Sequence, residues 1–299
     1  MQTGRASETA MISSVMRAAH RLLDEAPWIF VDDMAMALNG LKNEAELRAR
    51  LVSVEEQLTA VGGPAVAKNF IYASRLGLAL RARFAEDVLA DAMRRGISQY
   101  VLLGAGFDSF AYCRHDPMSG LRVYEVDHPA TQQEKVTRLR QLGASIPAST
   151  TFVSMDFAHD QLLDALCSHG FQREQPAVFC WLGVTWYLPD EAIDRVLRDV
   201  AGAAPGSELV LDYILPERLL EDEQRQLLKT LERMAFSFGE PAGNSFDPPR
   251  MAARLKAHNF SSLRDIGAEE GNARYLSGRS DGLRIPEFLH VLRARVAPP

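Results

Sequence analysis

The chain has 299 residues, 47% hydrophobic and 24% charged, with 20 Gly, 15 Pro and 3 Cys, which excludes collagen-like, low-complexity and disordered classes. At this length roughly 75% of the unfolded surface can be buried, so a full core needs neither disulfides nor a structural metal, and the length prior is one large domain with an appendage or about two domains. A formal charge of −6 argues against the basic surface that a nucleic-acid binder carries.

The first 95 residues read as helix. Apolar residues at Met11, Val15, Ala18, Ala19 and Leu22 give a helical repeat over 7–24, with Glu8 in the first turn. Pro27 stops it. A second helix is predicted over 43–60, capped by Asn43 and closed at Gly62-Gly63. A third, long or broken in two, runs from Pro64 to Gly96. Beyond Gly96 short apolar runs alternate with helices. Strands are predicted at 100–103, 121–126, around Phe152-Val153, at 177–181 and at 208–213. Helices are predicted between them at 130–142, 161–167 and 190–200. After Tyr213 a charged helix over 216–233 precedes a Gly/Pro-rich stretch, a helix over 250–258 and a strand near 260–266. The last apolar run, 288–296, reads as an edge strand. Strand–helix alternation with unbroken apolar strands predicts an α/β doubly wound, mostly parallel sheet covered on both faces.

Cys113, Cys167 and Cys180 are odd in number and widely spaced, which supports neither a disulfide framework nor a cysteine-built zinc site. The opening residues lack a long apolar run, and the longest apolar stretch, 177–188, falls short of the ~20 residues a membrane span needs. A soluble cytoplasmic protein is expected, with neither nucleic acid nor membrane as partner; its oligomeric state is left open.

The most informative segment is Leu102-Leu103-Gly104-Ala105-Gly106-Phe107-Asp108, two glycines closing the first strand of the sheet. In open α/β sheets ligands sit beyond the carboxyl ends of the strands, where this turn lies. The second strand ends Tyr124-Glu125-Val126-Asp127, placing a carboxylate 21 residues after Gly106, where it can accept from both ribose hydroxyls of an adenosine. A dinucleotide fingerprint needs a third glycine, and Ser109 stands there; Asp108 also puts negative charge where a pyrophosphate would approach. No tyrosine has a lysine four residues on, as a short-chain dehydrogenase would. A cationic, phosphate-free adenosine compound, S-adenosylmethionine, fits better.

These motifs resemble the leucine carboxyl methyltransferase family, in particular its bacterial branch of small-molecule O-methyltransferases. Four segments carry the resemblance: Arg81-Ala82-Arg83-Phe84 with Asp87, the 102–108 turn, Tyr124-Glu125-Val126-Asp127-His128-Pro129, and Trp181 to Pro189 ending in Tyr-Leu-Pro. Weaker similarity at 30–38 and 279–288 extends it over most of the chain. The resemblance implies an S-adenosylmethionine-binding methyltransferase domain over 96–299, with a seven-stranded sheet. It also implies a helical lid over 1–95 and a helical insertion, 215–249, above the acceptor site. Arg81 would clamp the methionine carboxylate, Gly104 and Gly106 would pack under the cofactor, and Asp127 would hold the ribose. Asp156 and Phe157 would read the adenine, and Ala105, Asp108, His128, Trp181 and Leu182 would complete the cradle. Leu182 stands where relatives acting on protein carboxyl groups carry a glutamate, which favours a small-molecule acceptor over a protein C-terminus.

Phe70, Tyr72, Trp186 and Phe238 are the aromatic candidates for an acceptor pocket between the sheet and the N-terminal helices. A carboxylate acceptor, with pKa near ~4, needs no general base, whereas a phenol, near ~10, gains roughly 10²–10⁴-fold from one. No catalytic base is assigned. His128 reads as a neighbour of the ribose or a helix cap, His20 as a helix residue, and His115, His159, His169, His258 and His290 as surface or loop residues. A nicotinamide-dependent oxidoreductase and a cofactor-binding protein without activity stand as the other readings.

Overall fold

The computed structural model describes residues 7–113, 120–157, 159–240 and 243–298. The chain opens with α1 (Glu8–Leu23), α2 (Ala35–Leu38), α3 (Glu44–Gly62) and α4 (Pro64–Arg94). Ser7 and Asn43 cap α1 and α3 by accepting from the amides of Ala10 and Glu46 at 3.1 and 3.0 Å. α4 is one unbroken helix of 31 residues. Its internal Gly77 lies where a Cβ would come within 3.0 Å of Leu289 and 3.3 Å of Pro286, so a bare backbone lets the helix lie close to the sheet.

The rest alternates: β1 (Gln99–Leu103), β2 (Arg122–Asp127), α5 (Pro129–Gln141), β3 (Thr150–Ser154), α6 (Leu162–Ser168), β4 (Val178–Trp181), α7 (Asp190–Ala201) and β5 (Glu208–Ile214). Then come α8 (Asp222–Ser237), α9 (Pro248–Ala257), β6 (Phe260–Ile266), α10 (Ala268–Tyr275) and β7 (Leu289–Val296). The seven strands lie in the order β3-β2-β1-β4-β5-β7-β6. Pairs among β1 to β5 are parallel, and β7 runs antiparallel to both β5 and β6. From β1 the chain winds outward through β2 and β3, then returns to β4 on the other side. This reversal beside β1 is where a doubly wound sheet opens a ligand crevice.

Alternation along the strands builds two apolar layers. Val101, Leu103, Val126, Phe179 and Leu209 face one side with Ile193, Val196 and Leu197 of α7 and Leu47, Leu51 and Val54 of α3. Tyr100, Leu102, Val123, Val178 and Val210 face the other, covered by Leu76, Leu80, Phe84 and Val88 of α4.

Four elements differ from the sequence reading. The last strand, β7, is interior, and β6 forms the edge. Apolar residues on both faces of β7 suit a strand flanked on both sides, while Ser261, Arg264 and Asp265 leave polar groups along the rim. The charged helix begins only at Asp222, because the chain at Leu220 is extended with its side chain in the core. The short α2 and α10 carry too little periodic pattern to be read from sequence. Among the described residues no helix is long and apolar enough to cross a membrane, and no cluster of three or more His, Cys, Asp or Glu is placed to hold a metal.

Candidate active site

At the carboxyl ends of the strands, beside the reversal, lies a cavity of about 560 Å³. Its floor is the turn after β1. Gly104 (φ +70°) and Gly106 (φ +47°) both take the left-handed conformation, and a Cβ on Gly104 would lie 2.5 Å from Val184 Cγ2. The turn is tied to β2: the Gly106 amide donates to Asp127 Oδ2 at 2.5 Å, and the His128 amide to Oδ1 at 2.6 Å. Burial pushes the Asp127 carboxyl up, while these two amides pull it down. The His128 ring caps α5, accepting at Nδ1 from the Ala130 amide at 3.3 Å. Among the described residues between β1 and β2 no helix begins, so the turn presents no helix N-terminus to a pyrophosphate.

Opposite this floor, α4 carries Arg81. Its Nη1 donates to Asp212 Oδ2 at 2.9 Å, and the Gly183 amide donates to Asp212 Oδ1 at 2.6 Å. Asp212 is 4% exposed, a buried carboxylate within the apolar run of β5. Helix α1 closes the front. Arg17 Nε donates to Asp32 Oδ2 at 2.8 Å, and its Nη2 to the Phe107 carbonyl of the glycine turn at 2.7 Å. Asp32 Oδ1 accepts from Ser109 Oγ at 2.6 Å and from the Ala35 amide at 2.8 Å. The start of α1 is in turn clasped by Glu240, which accepts from the Thr9 hydroxyl and, at 3.0 Å, from the Glu8 amide.

Burial pushes the Asp32 carboxyl up, but the adjoining Arg17 charge and the Ser109, Arg17 and Ala35 hydrogen bonds outweigh it and hold the group below the usual carboxylate range. Its contribution to stability is therefore present above the unfolded-state value of ~3.9 and is lost as the pH falls through the lower folded value. Asp32→Asn is expected to cost about 1–3 kcal/mol near neutrality. The variant should also show a flatter loss of stability on acidification in urea melts across that pH range; an unchanged acid slope would count against the pairing.

Most of the residues picked from sequence meet at this cavity: Arg81, Gly104, Ala105, Gly106, Asp108, Asp127, His128, Asp156, Phe157, Leu182, Phe70 and Trp186 all line it. Tyr72, Trp181 and Phe238 do not. Tyr72 lies on another face of α4 from Phe70, donating to the Gly282 carbonyl at 3.3 Å and accepting from the Arg284 amide at 2.7 Å. Strand alternation turns Trp181 away from the cavity-lining Cys180 and Leu182 into the opposite layer, where it is fully buried. Phe238 follows the last turn of α8 and packs on the core.

Two histidines read as surface or loop residues are held in place: His258 Nε2 pairs with Asp194 Oδ1 at 2.8 Å, and His290 Nδ1 with Asp265 Oδ1 at 2.9 Å. His20 is buried, paired with Asp24 at 2.7 Å. His115 lies outside the described residues.

The cavity residues missed from sequence are Arg17, Asp212 and Glu240, with Asp32 behind Arg17. Asp212 alone left a signal, as an acid inside an apolar strand.

These groups suit S-adenosylmethionine. Carboxylates end β2 and follow β3, where a ribose and an adenine amine can be read, and an arginine stands across from them on α4. Acids outnumber bases around the cavity, as a net cationic ligand favours. The comparisons with known proteins agree. Residues 10–201 match the family described as leucine carboxyl methyltransferase. A protein of Bacillus subtilis (strain 168), YktD, is named an S-adenosyl-L-methionine-dependent methyltransferase; the chain is 28% identical to it over 98% of this chain and 99% of that one. A relative named likewise in Mycobacterium marinum is 41% identical over 46% of this chain and 45% of its own. Among solved structures, a DUF574 family protein of Streptomyces avermitilis matches with a TM-score of 0.61 at 17% identity, covering 98% of each chain. A structure from Thermobifida fusca titled as a methyltransferase matches at 0.59 and 17%, covering 99% and 97%. At such identity the two structures speak for the fold alone. With its cradle, its sheet order and its sequence in accord, the chain belongs to the leucine carboxyl methyltransferase family and is an S-adenosylmethionine-dependent methyltransferase.

Proposed function

We propose that the chain methylates an oxygen of a small molecule, of the kind made in specialised metabolism. The observation that carries this is the extent of the cavity. Besides the cradle residues, its lining takes in the apolar side chains of Phe70 and Leu78 of α4, Leu231 and Met234 of α8, Trp186 and Phe288. Leu182 in place of an acid after β4 speaks against a protein C-terminal carboxylate, and the helix-free turn after β1 against a nicotinamide dinucleotide.

S-adenosylmethionine, when bound, supplies an electrophilic sulfonium methyl group. The protein's part is position and dryness. Asp127 and Asp156 would hold the nucleoside end, and Arg81, held by Asp212, would take the amino-acid carboxylate; an arginine fork matches that group. α1, α4 and α8 exclude water. Holding two reactants in line can supply ~7–11 kcal/mol of the barrier, so no acid or base at the sulfur is required. His128 is committed to its cap, and no catalytic base is assigned. Purified enzyme given methyl-labelled cofactor and an extract of small hydroxylated and carboxylated metabolites should release a labelled methyl ether or ester. Cofactor binding with no transfer to any fraction would favour a binding protein without activity, and label in protein would favour the carboxyl-terminal reading.

A further inference from the structure

We propose that Asp212 binds the α-ammonium of the cofactor, so that Arg81 and Asp212 together read its zwitterionic amino-acid end. The inference rests on S-adenosylmethionine binding with its carboxylate on Arg81, as read above, and deepens it.

The two side chains form a pair held in place by the loop after β4. Arg81 Nη1 donates to Asp212 Oδ2 at 2.9 Å, and the Gly183 amide donates to Oδ1 at 2.6 Å. The guanidinium lies against Gly183 itself. A Cβ on that residue, whose φ is +71°, would stand 2.6 Å from Nη1 and 2.8 Å from Nη2. All three residues line the cavity, and both charged side chains are largely buried. Neither is used up. A guanidinium has about five N–H donors and a carboxylate about four acceptor sites, so this pair keeps donors and acceptors to spare.

The pairing decides what kind of ligand head can enter. A carboxylate arriving alone would draw the charge of Arg81 away from Asp212 and leave a buried acid short of its partner, which is costly. An α-amino acid brings the replacement with it. Its ammonium and carboxylate sit on one carbon, so a carboxylate on Arg81 sets the ammonium beside the acid to which Arg81 is bound. Two ion pairs then stand where one stood, and no charge is left unmatched.

The other acids of the lining suit this task less. Asp127 accepts from two amides and, with Asp156, faces the nucleoside end. Glu240 accepts from Thr9 and from the Glu8 amide. Asp108 is the rival: it accepts from the Phe110 amide at 2.9 Å and lies near the charge of Arg17.

The test is calorimetry on the intact chain near pH ~6.5, below the α-amino range of ~7.7–8.0. Three ligands are compared: S-adenosylhomocysteine, its analogue with hydrogen replacing the α-ammonium, and its analogue with hydrogen replacing the carboxylate. The unaltered protein is expected to bind the deaminated analogue at least roughly tenfold more weakly than S-adenosylhomocysteine, the low end for a hydrogen bond to a charged group. In Asp212→Asn that gap should narrow at least roughly fivefold, because a neutral amide replaces the carboxylate. The penalty for losing the ligand carboxylate should persist there, and Asp108→Asn should keep the first gap. Equal weakening of all three ligands in Asp212→Asn would make the residue merely structural and overturn the inference. So would narrowing in Asp108→Asn instead, or a gap under about threefold in the unaltered protein, a comparison that needs no variant to fold. Failure of the unaltered protein to bind S-adenosylhomocysteine at all would strike the reading on which the inference rests.

Discussion

Asp127→Ala is expected to weaken binding of S-adenosylhomocysteine by at least roughly 100-fold, measured by calorimetry. The estimate follows from two losses. A carboxylate accepting from two ribose hydroxyls makes charge-assisted hydrogen bonds, each contributing about 1.5–3 kcal/mol. The same carboxylate also accepts from the amides of Gly106 and His128, so its removal leaves two donors unpaired and loosens the turn that carries the ligand. Asp127→Asn should fall between, since its amide oxygen still accepts one hydrogen bond. Variant affinity within about threefold of the unaltered protein would remove Asp127 from the cradle.

Lys135→Met is expected to destabilise the fold by about 3–5 kcal/mol, the most of any single change considered. Lys135 Nζ lies 2.6 Å from Glu125 Oε2, and both side chains are 1% exposed. Breaking such a pair leaves a charge buried without its partner, whereas replacing both ends by apolar groups is often close to neutral. Glu125→Leu with Lys135→Met should therefore recover most of the loss. In the native protein burial pushes the Glu125 carboxyl up against the pull of Lys135, and without the lysine it rises further. A carboxyl raised on folding adds stability below its unfolded value of ~4.3 and loses it as the pH rises through the folded value. The deficit of Lys135→Met relative to the native protein should thus be largest at neutral pH and shrink on acidification. A loss below ~1 kcal/mol in urea melts would show that the pair is not what holds β2 against α5.

The parts of the site legible in sequence are those built from neighbours along the chain. The glycine turn, the acid closing β2 and the cap at His128 are local: glycine answers a left-handed backbone, and a strand's end fixes where its last side chain lies. What stayed hidden depends on distance along the chain. Arg81 finds Asp212 across 131 residues, and Glu240 reaches back 232 residues to the amide of Glu8. No spacing rule reports such pairs. Tyr72, Trp181 and Phe238 show the complementary limit. An aromatic residue next to a pocket-lining segment points into the pocket only if the helical or strand period turns it that way, and a single residue's offset is enough to bury it elsewhere. Likewise the apolar run of β7 reads as a strand, but its place inside the sheet depends on pairing with β5 and β6.

The most direct test is a crystal structure of the chain with S-adenosylhomocysteine. The account predicts the ribose hydroxyls on Asp127, the adenine between Asp156 and Phe157, and the amino-acid carboxylate on Arg81, with the thioether facing the apolar part of the lining. Density for the ligand away from the Gly104–Gly106 turn, or a ribose that does not touch Asp127, would contradict it.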